Sequence, residues 1–128
     1  MTNAPSMTNA TEIASRYIAL WNETDQEGRR ALIAEIWTDD ASYLDPMMQG
    51  NGHDGIDTMI AGVQRQFPGY RFALEGTPDG HNNRVRFSWS LAAEGGAPVA
   101  RGTDFALLSR DGRFQSVTGF LDRDPAGA

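Results

Sequence analysis

The chain has 128 residues, 40% hydrophobic and 22% charged, with no cysteine and a formal charge of -6 at neutral pH. That length makes one domain with a sizeable core. The acidic balance, without any basic run, excludes a nucleic-acid surface. The missing cysteines exclude disulfides, thiol nucleophiles and thiolate metal sites, and suit a reducing compartment.

No apolar stretch approaches the roughly 20 residues of a membrane span. The first ten residues have neither the basic nor the apolar region of a secretory leader, so a cytoplasmic protein is expected. Residues 1–7 and 123–128 read as loose tails of a single domain over 1–128.

The first helix is predicted from about Thr11 to Trp21, with Ile13, Tyr17, Leu20 and Trp21 on one face. Thr24 and Glu27 have the spacing of a capping box and announce a second helix with Leu32, Ile36 and Trp37 as its stripe. Asp39-Asp40 ends it, and Ala41–Leu44 reads as a short strand stopped by Asp45-Pro46. Gly50–Gly55 is a glycine-rich loop. Asp54 is the expected cap of a third helix, on which Ile56, Met59, Ile60, Val63 and Phe67 form the strongest amphipathic pattern of the chain.

Beyond Pro68-Gly69 the period changes to two. Arg71–Glu75 is a strand and Pro78-Asp79-Gly80 a turn. In Arg84–Leu91, Val85, Phe87, Trp89 and Leu91 face one way, against Arg84, Arg86, Ser88 and Ser90. Gly95-Gly96 and Asp111-Gly112 turn the returning strands Val99–Leu108 and Phe114–Leu121 into a meander. Helices followed by strands imply an α+β fold, helices on one face of an antiparallel sheet.

Three polar residues stand where a packed core prefers apolar ones. Tyr17 lies on the buried stripe of the first helix, and its phenol needs a partner or a cavity. Asp45 closes the short strand, where it could equally be a turn former. Asp104 lies mid-strand on a small-residue face with Ala100, Gly102, Ala106 and Leu108. A lone carboxylate there is protonated or paired. His53 and His81 lie in loops without a third ligand at usable spacing, so no metal is expected. Gly50-Asn51-Gly52 does not lead from strand to helix as a phosphate loop does, so no nucleotide cofactor is implied.

Arg16-Tyr17-Ile18-Ala19-Leu20-Trp21-Asn22, then Thr38–Pro46, then Asp104 eight residues before Gly112, together resemble the ketosteroid isomerases and SnoaL-like polyketide cyclases of the nuclear transport factor 2-like superfamily. The resemblance spans the first helix to the last strand. It implies a cone of three N-terminal helices packed on a curved antiparallel sheet that encloses a pocket. It also implies Asp45 as general base, and Tyr17 and Asp104 as donors to a developing enolate oxygen. Trp21, Trp37, Val85, Phe87, Trp89, Val117 and Leu121 are the expected apolar lining.

The implied function is a cofactor-independent isomerase or cyclase acting on a small hydrophobic carbonyl compound. The alternative is a non-catalytic pocket or dimerisation domain, since this fold supports both. Limonene epoxide hydrolase is a further fold relative. Its Arg/Asp arrangement is disfavoured because Arg101 and Asp104, three apart on a strand, face opposite ways. Phe105 and Leu107 on the other face of the sheet need cover, and relatives commonly pair sheet to sheet. A homodimer is therefore expected.

Overall fold

The computed structural model describes residues 7–122. Of the tails expected at 1–7 and 123–128, only Met7 falls inside that range, and it opens the first helix. The elements run α1 (Met7–Asn22), α2 (Gln26–Ile36), β1 (Trp37–Leu44), β2 (Gln49–Asn51), α3 (Gly52–Gln66), β3 (Arg71–His81), β4 (Arg84–Ala92), β5 (Ala100–Leu108) and β6 (Phe114–Leu121). The strands form one unclosed sheet in the order β2-β1-β6-β5-β4-β3. The fold is α+β, but the sheet is not wholly antiparallel. β1 enters after two helices and joins the last meander strand, β6, in parallel.

Several boundaries move for local reasons. The cap of α2 is Asp25, not Thr24: its carboxylate accepts from the Gly28 amide at 2.8 Å. Trp37–Asp40 belong to β1, whose register shifts between Trp37 and Ser42. The buried indole of Trp37 favours the strand, while Asp39 and Asp40 stay in solvent at the irregularity. The Gly50–Gly55 loop resolves into β2 and the first turn of α3, so Gly50-Asn51-Gly52 does lead from a strand into a helix, contrary to expectation. The cap position of α3 is Asn51, which makes no capping bond. Asp54 instead pairs with Arg30 at 2.5 Å.

β3 continues through Pro78 to His81, with a register shift between Glu75 and Asp79. Proline is tolerated there because β3 is an edge strand and the shift frees its missing donor. The hairpin therefore turns at Asn82-Asn83, with Asn82 at φ +51°. The Gly95 and Gly112 turns stand where the sequence puts them.

The helices bury one face of the sheet. Tyr17 sits amid aromatic rings, 5.0 Å from Phe87 and 5.1 Å from Phe114 between centroids, with Trp21 and Trp37 about it. A buried polar joint ties the helices together. Arg29 Nε donates to Asp57 at 2.6 Å, and its Nη1 donates to Gln64 at 2.9 Å. Gln64 in turn donates to the carbonyls of Trp21 and Glu23 at the end of α1. Both charges are paired and bonded, which is what lets them stay inside. No described helix is long and apolar enough to cross a membrane.

Candidate functional site

Strand register builds the centre of the site. Asp104 on β5 pairs with Phe87 on β4 and with Gly119 on β6. It is 2% exposed. One step along, Trp89 pairs with Gly102, and a Cβ at 102 would stand 2.5 Å from the Trp89 ring. The missing side chain thus lets the indole lie against β5, where its Nε1 donates to Asp104 Oδ1 at 3.1 Å. Gly119 does the same for a second contact. A Cβ there would meet Asp104 Oδ1 at 2.9 Å, Asp45 Cβ at 3.2 Å and Tyr43 Oη at 3.3 Å. Only glycine lets these three side chains converge.

Asp45, at the end of β1, is held from two sides. Tyr43 donates to Oδ2 at 2.6 Å, and the amides of Met47 and Met48 donate to Oδ1 at 2.7 and 2.9 Å. The turn Asp45-Pro46-Met47-Met48 is therefore wrapped on the carboxylate, which stays half-buried.

Tyr17, Asp45 and Asp104 all line one cavity of about 180 Å³, together with Trp21, Trp89 and Leu121. The other four residues expected as lining are elsewhere. Trp37, Val85, Phe87 and Val117 are each at most 2% exposed and pack in the core, because Tyr17 and the rings around it fill the space they were expected to border. Two polar hydrogens point a chemist to this cavity. Three described side-chain donors, Tyr17 Oη, Trp21 Nε1 and Trp37 Nε1, are buried with no hydrogen-bond partner, and the first two belong to residues that line this cavity. Tyr17 is close enough to Asp104 for each to perturb the other, but the two do not meet in hydrogen-bonding geometry. A buried donor left unsatisfied costs about 1–3 kcal/mol, so such groups are normally met by a ligand or water.

The two carboxyl groups have different surroundings, Asp104 buried and Asp45 half-buried. Burial pushes Asp104 up to about 6, against the pull of the Trp89 bond and of the nearby Tyr17 hydroxyl, and the charge of Asp45 adds to the rise. Asp45 accepts three bonds, one from the Tyr43 hydroxyl and two from the Met47 and Met48 amides. Burial first, and Asp104 second, raise the Tyr17 phenol far above its ordinary value. Burial likewise raises Tyr43, with Asp104 and Asp45 adding to it. Both phenols are neutral donors.

Sequence reasoning missed Tyr43, Gly119 and the donor role of Trp21. Tyr43 was legible as a residue sharing a strand face with Asp45, two positions on. The convergence at Gly119 was not, because it needs the parallel β1–β6 register. Arg101 is exposed while Asp104 is buried, so they do face opposite ways. His53 stands in the first turn of α3 rather than a loop, and its Nε2 donates to the Trp37 carbonyl at 3.0 Å. Among the described residues no three His, Asp or Glu side chains gather as a metal site requires.

Residues 14–117 match the family model of the SnoaL-like domain. A crystal structure from Agrobacterium tumefaciens, provisionally assigned as an isomerase of the SnoaL-like family, is 50% identical, with 91% of this chain and 99% of that one covered and a TM-score of 0.87. A provisionally assigned ketosteroid isomerase from Kribbella flavida shares the fold at 18% identity and TM-score 0.68, over 97% of this chain and 83% of the other. A provisionally assigned SnoaL-like polyketide cyclase from Jannaschia does so at 18% and 0.73, over 95% and 91%. Comparison with curated proteins gives no match. The chain belongs to the SnoaL-like domain family.

Proposed function

We propose that this protein is a cofactor-independent isomerase or cyclase that moves a proton on a small hydrophobic carbonyl compound. The observation that carries this reading is the pair of unpartnered donors, Tyr17 Oη and Trp21 Nε1, beside a buried acid in an apolar cavity. In the reaction, Asp45 takes a proton from the carbon next to the carbonyl. The C–H electron pair becomes the enolate double bond, and the carbonyl π pair moves to oxygen. Tyr17 and protonated Asp104 donate O–H groups to that oxygen, and the Trp21 N–H supplies a third donor. Asp45 then returns the proton to another carbon of the conjugated system. No oxidant or co-reactant is needed, and fixed donors at the charge-bearing oxygen are the larger part of such catalysis.

The test is turnover of a panel of β,γ-unsaturated ketones, followed by absorbance of the conjugated product. The pH profile adds a sign. The donor form of Asp104 exists below its pKa and is lost as pH rises through about 6. The value of kcat/KM, which reports the free enzyme, is therefore expected to fall above that pH. A profile flat into the alkaline range would contradict the assigned acid.

One observation favours a second reading, a non-catalytic ligand-binding or dimerisation domain. All three bonds to Asp45 also suit a purely structural turn. Absence of turnover on every ketone of the panel would put that reading first.

The outer face of the sheet supports a homodimer in either case. Phe105 is 41% exposed, Phe120 62% and Leu44 53%. Leu44, Thr118 and Phe105 stand side by side across β1, β6 and β5. Two copies pairing sheet to sheet would cover this patch. Light scattering at micromolar concentration is expected to give twice the chain mass, and a monomer would contradict it.

A further inference from the structure

The cavity of about 180 Å³ falls below the roughly 300–1,000 Å³ of sites that enclose a drug-sized ligand. A substrate larger than a small ketone must extend out of it. Against its mouth lies an open groove of about 730 Å³ between β2 and α3, and Met47, Met48, Val63 and Gln66 line both spaces. The groove floor is backbone-rich, with Gly50, Gly55 and Gly62 along it. The charges bordering the two spaces are all acidic: Asp45 and Asp104 inside, and Asp54, paired to Arg30, outside. Among the described residues that line the two spaces there is no arginine or histidine, although Arg30 pairs with Asp54 and the Arg65 guanidinium stands 3.9 Å from where a Cβ of Gly62 would be.

We propose that the groove between β2 and α3 is a second subsite, which takes the uncharged tail of an elongated substrate whose carbonyl end occupies the cavity. This rests on the proton-transfer reading for the carbonyl end. The unpartnered Tyr17 and Trp21 hydrogens anchor that end. The thioethers of Met47 and Met48 adapt to the tail where it crosses the threshold. Met47, Met48, Met59 and Val63 offer an uncharged tail apolar contact, whereas a carboxylate or phosphate tail would lose water against them and pass the Asp45 carboxylate.

Three ligands test this by quenching of tryptophan fluorescence, since Trp21 and Trp89 border the cavity. They are a short β,γ-unsaturated ketone, the same ketone with an uncharged alkyl-ether tail, and the same with a carboxylate-ended tail. The uncharged tail is expected to tighten binding about tenfold or more, the scale of a few buried methylenes. The carboxylate is expected to cancel the gain. Gly62→Leu fills the groove without clash, because a Cβ there meets only Arg65 at 3.9 Å, and leucine is the better helix former. It should abolish the gain and leave the short ketone unchanged. Equal affinities for all three ligands, or a gain that survives Gly62→Leu, would overturn the subsite. Binding is read without turnover, so ligands that bind with the expected pattern but never isomerise would refute the proton-transfer reading alone.

Discussion

Asp45→Asn is expected to lower kcat on an enolisable ketone by about 10²–10⁴, the usual contribution of a positioned general base. The amide keeps the shape of the carboxylate. Its oxygen can still accept from the Met47 and Met48 amides, and Tyr43 can turn to accept from its nitrogen. The Asp45–Met48 turn therefore survives, and the variant should fold with little change in thermal midpoint. In the proposed mechanism ground-state binding rests on Tyr17, Trp21 and the apolar walls, so KM should move little while kcat falls. A variant that folds and keeps the wild-type kcat would remove Asp45 from the chemistry and leave it a turn residue. Steady-state kinetics beside a melting curve separates these outcomes.

Asp104→Asn is expected to make the protein more stable above neutrality while disabling it. The native pKa of Asp104 is raised from 3.8 to about 6, chiefly by burial. Below the unfolded value both states hold the proton, and nothing is lost. As pH rises toward the native value the unfolded chain ionises first, so native stability declines. Above about 6 the whole displacement has been spent, which corresponds to roughly 3 kcal/mol. Asparagine never ionises and can still accept from Trp89. Urea unfolding should show the variant more stable than wild type by about that amount near pH 8, with the gap closing near pH 4. A variant less stable at both pH values would mean that Asp104 is a structural carboxylate. A stabilising change that costs activity is the signature of a strained functional group.

The α+β architecture, the three helical stripes and the meander were legible because each rests on a period of 3.6 or 2. The inward face Val85, Phe87, Trp89 and Leu91 is buried as the alternation requires. Asp104 was legible for the same reason, as a carboxyl on a face of small residues. What the sequence hid depends on tertiary pairing. Arg29 and Asp57 look like ordinary solvent charges on their helices, and only the crossing of α2 and α3 buries them together. Val63 and Phe67 continue the stripe of α3, yet they are only half-buried because the stripe runs out over the cavity. Trp37 read as the last residue of a helix stripe; its side chain is fully buried, but from the first position of a strand. The expected lining went wrong at Trp37, Val85, Phe87 and Val117 for one reason. Alternation tells which face a residue takes, not whether that part of the face meets a helix or a space.

Proton transfer in this cavity is tested most directly by exchange of solvent deuterium into the α-carbon of a small ketone in D₂O, followed by proton NMR for wild type and Asp45→Asn. Exchange requires only that a carbonyl compound enter the cavity and lose a proton, whatever the natural product. Deuterium incorporation that depends on wild-type protein and disappears in Asp45→Asn is the expected result. No enzyme-dependent exchange with any ketone that binds, or equal exchange by the Asn variant, would contradict proton transfer at this site.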